Sequence, residues 1–115
     1  CIETGDTAYE RDASKLGLSF PLTAGVSAAV QDTVAAMGGE VHNAQYCSGL
    51  DKCRDTVKAA AAGKLDCSYI EGMACSNGCI DGPAAVGDFH ITKVALTKYA
   101  AAAPNKQAAE DKHTK

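Results

Sequence analysis

Apolar residues recur at helical spacing in three stretches of the chain, and this pattern predicts three helices. The clearest stretch covers 22–37, where the apolar side chains form one stripe along a helix. Gly38 follows it, and glycine readily takes the left-handed conformation in which many helices end. A second stripe runs from Leu50 to a stop at Gly63, and a third covers 89–103.

Two short segments between these helices have the character of strands. Residues 40–46, EVHNAQY, are bounded by turn-forming residues, and residues 65–71, LDCSYIE, place apolar side chains on one face. The S-x-x-D sequence at 48–51 is a helix-start signal, so a helix is expected between the two strands. This order predicts a βαβ unit with parallel strands. The predicted fold class is therefore α/β with flanking helices, with one lobe over 1–103 and a polar C-terminal tail over 104–115.

Length and charge exclude several classes of protein. The 115 residues are enough for one domain, and a net charge of -3 without a long basic run argues against nucleic acid as a partner. No apolar stretch approaches the roughly 20 residues that span a bilayer, so no membrane partner is expected. The chain opens on Cys1 without Met or a signal-peptide pattern. We expect a cytoplasmic protein and a fragment of a longer chain.

Cysteine is abundant in this sequence. The six cysteines are Cys1, Cys47, Cys53, Cys67, Cys75 and Cys79. An even number in a small secreted domain indicates disulfides, and that alternative stays open. The Ala-rich sequence and its helical periodicity instead favour a cytoplasmic α/β protein, in which clustered cysteines bind metal or carry out redox chemistry.

The most distinctive cysteines lie in the loop at 71–83, EGMACSNGCIDGP. Because this loop follows the second predicted strand, it lies at a strand's C-terminal end, where α/β folds place their sites. Zinc sites usually pair two C-x2-C motifs, whereas Cys75 and Cys79 form a single C-x3-C. An iron–sulfur cluster normally takes four thiolates at variable spacing. The loop therefore fits half of a cluster site.

The remaining cysteines and histidines have simpler interpretations. Cys67, in a predicted strand, and Cys53, on the apolar face of a predicted helix, are expected to be small buried hydrophobic residues. Cys47 lies at a predicted strand end, where either a structural or a functional role is open. His42 and His90 have no partner at ligand spacing, and we do not expect either to bind a metal.

The loop and its flanks resemble the third signature of the [FeFe]-hydrogenases, which reads approximately E-x-M-A-C-x-x-G-C-x-x-G. The matching residues, in order, are Glu71, Met73, Ala74, Cys75, Gly78, Cys79 and Gly82. Upstream, the segment 16–30 is similar to the family's lead into a Gly-Gly-Val-like helix start. The resemblance covers about 8–83 and implies one lobe of an iron-only hydrogenase-like fold.

This resemblance implies reversible reduction of protons to hydrogen. In the family, a [4Fe-4S] cubane is joined through a cysteine sulfur to a two-iron centre that carries CO, cyanide and an azadithiolate bridge. By resemblance, Cys75 would ligate the cubane, and Cys79 would ligate it and bridge to the two-iron centre. Met73 would pack near that centre and Glu71 would orient the loop, which makes both candidate catalytic residues. Ferredoxin or a linked iron–sulfur domain would supply electrons.

The chain also departs from the family. The two earlier signatures, T-S-C-C-P and P-C-x-x-K-K, are absent, and with them the other two cubane cysteines and the proton-donating cysteine. The sequences at 76–77 and after Gly82 look like those of divergent branches that include sensory members. We expect the chain alone to be metal-free and inactive, with an exposed or disordered loop. The remainder of a hydrogenase chain would be its partner.

Two alternatives to an enzyme remain at this point. The first is a non-catalytic sensory or scaffold iron–sulfur protein of the same fold. The second is a self-contained α/β domain in which Cys75 and Cys79 form an unrelated redox thiol pair.

Overall fold

The computed structural model describes residues 13–107, which form helices around a two-stranded parallel sheet. In chain order the elements are α1 (Lys15–Leu18), α2 (Gly25–Ala36), β1 (Gln45–Ser48), α3 (Leu50–Ala61), β2 (Ile70–Met73), a 3₁₀ turn (Cys79–Asp81) and α4 (Phe89–Ala101). The parallel pairing of β1 and β2 confirms the predicted α/β class. Cys1 and the segment 108–115 lie outside the described residues, and the boundary at 103 stays a prediction.

The helix ends follow the predicted glycines, but one helix start does not follow its predicted signal. Gly38 and Gly63 have left-handed φ angles of 79° and 68°, just beyond α2 and α3. The predicted S-x-x-D start of α3 is wrong, because Gly49 caps this helix with φ 93° and no side-chain hydrogen bond. The reason is that Ser48 is still paired in β1, and the Gly49 N–H donates to Met73 O at 2.9 Å.

Both strands lie further along the chain than the sequence predicts. The predicted segments 40–46 and 65–71 contain only the first residues of β1 and β2, and most of each is irregular. Asn43 takes a left-handed φ of 43°, which is incompatible with an extended strand. The irregular segments still contact each other, since the Ser68 N–H donates to His42 O at 2.9 Å. Regular pairing begins at Gln45 and Ile70.

The two faces of the sheet pack against different helices. Adjacent strand residues point to opposite faces. On one face Glu71 hydrogen-bonds to the backbone of α2 at Ser27. On the other face Cys47 and Gly72, which are in register, contact Cys53 of α3. The sheet therefore lies between α2 and α3, and β2 connects both contacts to the cysteine loop.

The last described residues fold back onto α1 and α2. The Lys15 N–H donates to Asn105 O at 2.8 Å, and the Leu16 N–H donates to Lys106 O at 3.2 Å. Lys106 Nζ lies 2.6 Å from Asp32 Oδ1 on α2. This lysine holds the pKa of the Asp32 carboxyl below its usual value. Residues 105–107 are thus attached to the helices by backbone bonds and an ion pair.

Few apolar side chains are fully buried among the described residues, and several large ones are exposed. The buried apolar residues are Cys47 and Ala100. Large exposed apolar side chains on α3 and α4 include Leu50, Val57, Ile91, Val94 and Tyr99. Where exposed apolar side chains are contiguous, they commonly mark a surface that packs against another element or chain. No helix within 13–107 combines the length and apolar character that would let it cross a membrane.

Candidate functional site

The C-x3-C loop begins directly after β2, as the sequence predicts. β2 ends at Met73, and Cys75 lies two residues further along. Cys75 is half-buried and Cys79 is exposed. Because β1 and β2 are parallel, the loop emerges from the edge of the sheet at which the carboxyl ends of both strands meet.

The backbone of the loop is held by the segment that precedes α2. The Cys79 N–H donates to Pro21 O at 2.8 Å, and Leu22 and Gly78 form an isolated antiparallel bridge. Within the loop, the Gly78 N–H donates to Cys75 O at 3.2 Å. Cys79 is exposed, as expected for the loop, and backbone hydrogen bonds connect the loop to the residues before α2.

Gly78 is at a position where no other residue fits easily. Its backbone has φ 86° and ψ -176°, a region that essentially only glycine populates. A Cβ atom here would lie 2.5 Å from Pro21 O and 3.0 Å from Thr23 N. The glycine between the two cysteines therefore allows the loop to approach the backbone before α2.

Gly82 borders the Cys75 thiol on the other side of the loop. A Cβ on Gly82 would lie 3.5 Å from Cys75 Sγ and 3.2 Å from Cys79 O. Between the cysteine and this glycine, the 3₁₀ turn is braced by Asn77 Nδ2, which donates to Asp81 Oδ2 at 2.7 Å. Gly78 thus allows the loop to pack against the backbone before α2, and Gly82 leaves space beside the sulfur atom of Cys75.

Glu71 acts as a cap for α2 from a distant part of the chain. Its side chain is buried, and Oε2 accepts the Ser27 N–H at 2.6 Å. Ser27 lies in the first turn of α2, whose own N-cap residue, Ala24, offers no side-chain acceptor. A carboxylate satisfies such an orphan donor and interacts favourably with the positive end of the helix dipole. Tyr69, two residues earlier, donates its OH to Ser27 O at 3.0 Å.

The backbone carbonyl of Met73 contacts two neighbouring residues. Its carbonyl oxygen accepts the Gly49 N–H at 2.9 Å and lies 3.4 Å from Cys53 Sγ. Its side chain is half-buried. These bonds fix the end of β2, from which the cysteine loop departs.

The other residues that the sequence singled out lie outside the C-x3-C segment itself. Cys67 is half-buried in the irregular segment before β2, so its predicted strand position is wrong. His42 Nε2 lies 3.0 Å from Asp66 Oδ2 at the surface. Cys47 is buried, whereas Cys53 is only half-buried, and their sulfur atoms are 3.3 Å apart.

The donor set of the loop fits part of a metal centre. Cys75 and Cys79 are free thiols on a hydrogen-bonded loop, and thiolates are the soft type of ligand that iron–sulfur clusters take. Within 13–107, no three His, Cys, Asp or Glu side chains are grouped so that they could hold a metal ion. The C-x3-C loop by itself contains two thiols, whereas a cubane usually takes four thiolates.

Fold and loop together define an α/β domain with a cysteine site at a strand's C-terminal end. A sequence model of the family described as iron only hydrogenase large subunit, C-terminal domain, matches residues 3–83, more than half of the 115-residue chain. The chain therefore belongs to this family, which confirms the resemblance seen in the signature. No curated protein and no solved structure matches it.

Sequence reasoning missed the residues that support the loop. Ser27 and Tyr69 fix Glu71 and α2, and Pro21 holds Cys79, yet none of these three stood out. Tyr69 could have been found, because the predicted strand 65–71 places it two residues before Glu71, on the same face by alternation, although the observed β2 begins only at Ile70. Ser27 and Pro21 act through a backbone N–H and a backbone carbonyl, for which a sequence gives no signal.

Proposed function

We propose that this chain is the C-terminal part of an [FeFe]-hydrogenase-like protein and supplies two cluster thiolates, from Cys75 and Cys79. The observation that carries the proposal is the fixed C-x3-C loop at the end of β2, in a chain of the iron-only hydrogenase family. When bound, the iron–sulfur and two-iron centre would supply the electron transfer and proton reduction.

The chain's own residues would hold and orient the two thiols. Glu71 is a positioning residue in this proposal, because it caps α2 and the segment before α2 binds the loop at Cys79. Met73 fixes the end of β2 through its carbonyl oxygen, and its side chain would pack beside the centre. Neither residue transfers a proton in this proposal.

The remaining ligands are proposed to come from the rest of a hydrogenase polypeptide. Two thiolates leave a four-cysteine shell incomplete. The exposed apolar side chains of α3 and α4 are consistent with packing against such a partner. Electrons are proposed to come from ferredoxin or a linked iron–sulfur domain.

Anaerobic reconstitution with ferrous iron and sulfide tests the ligand count. On this chain alone we expect no stoichiometric four-iron cluster, and a stable one would contradict the proposal. With the partner polypeptide present, iron and sulfide should bind and depend on both loop thiols. Cys75→Ser and Cys79→Ser should each lose the cluster, whereas the control Cys67→Ser should keep it. Retention of full iron in either loop variant would refute the assignment.

The second candidate is a sensory or scaffold iron–sulfur protein of the same fold. The departures from the family after Gly82 favour it, because the sequence there is Pro83-Ala84-Ala85 and lacks the family's glycine-rich run. Hydrogen evolution with reduced methyl viologen separates the two functions, once the reconstituted complex has also been loaded with a synthetic two-iron compound that carries CO, cyanide and an azadithiolate bridge. Turnover that disappears in Cys79→Ser supports the hydrogenase, and a complete cluster without turnover supports the sensory protein.

A further inference from the structure

A second pair of cysteines lies beneath β2, separate from the C-x3-C loop. Cys47 is in β1 and Cys53 is in the first turn of α3. Their sulfur atoms are 3.3 Å apart, in direct contact. No structural metal site explains this contact, since the described residues include no third ligand near the pair.

Backbone atoms of β2 lie next to both sulfur atoms of the pair. Cys47 Sγ lies 3.5 Å from Glu71 O, and Cys53 Sγ lies 3.4 Å from Met73 O. Gly72, between these two carbonyl groups, has no side chain to separate the sulfur atoms from the strand. A Cβ there would lie 3.4 Å from Cys53 Sγ and 3.9 Å from Cys47 Sγ. The sulfur atoms are thus free to move toward each other without displacing a side chain of β2.

We propose that Cys47 and Cys53 form a reversible thiol–disulfide pair, a redox modification site beneath the strand that leads to the cysteine loop. A disulfide needs its sulfur atoms about 2.05 Å apart, so they must approach by roughly 1.2 Å from the observed 3.3 Å. Rotation of the two side chains about their Cα–Cβ bonds supplies movement of this size.

The oxidant is a low-molecular-weight disulfide such as oxidised glutathione. Cys53 is half-buried and Cys47 is buried, so the Cys53 thiolate attacks the oxidant first. This forms a mixed disulfide and releases one thiol of the oxidant. The Cys47 thiolate then attacks the Cys53 sulfur, closes the protein disulfide and releases the second thiol. Two electrons and two protons pass from the protein to the oxidant.

The contact between the thiols also sets the pH at which the pair reacts. The hydrogen bond with Cys47 raises the pKa of the Cys53 thiol above its usual value of 9.0, and burial adds to this effect. Only the thiolate attacks a disulfide. The rate of closure should therefore keep rising with pH through the range in which an ordinary thiol would level off.

Closure of the pair would change the strand above it. Both sulfur atoms lie within hydrogen-bond distance of carbonyl oxygens of β2, at Glu71 and Met73, to which a thiol can donate. A disulfide has no S–H to donate, so both contacts lose their hydrogen-bond character. Met73 O keeps the Gly49 N–H as a donor at 2.9 Å. Oxidation of the pair thereby removes two hydrogen-bond donors from the strand that leads to Cys75.

Equilibration of the metal-free chain in mixtures of reduced and oxidised glutathione tests the proposal. After acid quenching and alkylation, peptide mapping should find Cys53 linked to Cys47, with a single two-electron midpoint. Trypsin cuts after Lys52 and Arg54, so the linked form releases a Cys53-Arg54 dipeptide only after reduction. The Cys67→Ser variant should retain the same link and midpoint.

Two single-cysteine variants test the two thiols separately, so one variant still gives a result if the other folds poorly. Cys53→Ser should leave Cys47 free for alkylation, and Cys47→Ser should trap the mixed disulfide on Cys53. Separate alkylation of both residues at every glutathione ratio would overturn the proposal. So would mixed disulfides that fail to close in the wild-type chain. Neither result depends on hydrogenase activity, so this test is independent of the proposed function.

Discussion

Replacement of Glu71 gives the most direct test of how the loop is supported. In Glu71→Ala, the buried Ser27 N–H loses the carboxylate oxygen that now accepts it at 2.6 Å. An unsatisfied buried donor costs about 1–3 kcal/mol, and loss of a charge at a helix N-terminus costs about 0.3–2 kcal/mol. The two terms overlap and do not simply add. Glu71 Oε1 is buried without a hydrogen-bond partner among the described residues, which reduces the stability that Glu71 contributes to the folded chain. We expect a net loss of about 2–3 kcal/mol, and about 1 kcal/mol for Glu71→Gln, which keeps an acceptor oxygen.

Two assays together test this magnitude and its location. Urea unfolding followed by circular dichroism gives the free energy of unfolding, with Glu40→Ala as the control at an exposed glutamate. Hydrogen exchange of the Ser27 amide should accelerate in Glu71→Ala by roughly 30- to 150-fold, which corresponds to the expected 2–3 kcal/mol. A Glu71→Ala protein that unfolds like Glu40→Ala, with Ser27 still protected, would refute the capping role.

Two further substitutions test the loop and the C-terminal contact. Gly78→Ala should lower the free energy of unfolding in urea by roughly 1–3 kcal/mol, because alanine is strained at φ 86° and its Cβ would collide with Pro21 O. The control Gly72→Ala should have a small effect, because its Cβ would meet no atom closer than 3.4 Å. Equal losses of stability in the two variants would contradict this reasoning. Asp32→Asn removes a carboxylate whose pKa is lowered by Lys106, so its stabilisation exists above the unfolded pKa near about 4 and disappears as pH falls through the lower folded value. The difference in melting temperature between wild type and Asp32→Asn should vanish in acid, and a constant difference down to about pH 2 would show that Lys106 does not act through this charge.

Helices were predictable because their signals are local. The stripe over 22–37 predicted α2, observed at Gly25–Ala36, and the glycines after α2 and α3 marked both ends. Even Gly25, which weakens a helix by propensity alone, has a local explanation. A Cβ at Gly25 would lie 2.0 Å from Ser19 O, so the turn before α2 requires a glycine.

Strand positions were not predictable to the same degree, because a short parallel strand is defined by a partner far along the chain. Gln45 pairs with Ile70, and this register places regular structure several residues after the predicted starts. The left-handed Asn43 ends any extended run before Gln45, and its conformation depends on tertiary context that the sequence does not reveal. The same limit hid the Glu71–Ser27 bond, which joins residues 44 positions apart.

The signature residues divide into those that carry chemistry and those that set geometry. Cys75 and Cys79 offer the thiols, whereas Glu71 and Gly78 connect β2 and the loop to α2 and the segment before it. Glu71 must lie on the strand, Gly78 must lie where the turn meets Pro21, and the cysteines must flank that glycine. The spacing of the signature thus follows from one strand–turn arrangement, and a chain can preserve it without containing the other cluster ligands. The loop can be recognised from the sequence because its residue types and spacing lie within one short segment, whereas the contacts that support it, at Ser27 and Pro21, come from elsewhere in the chain.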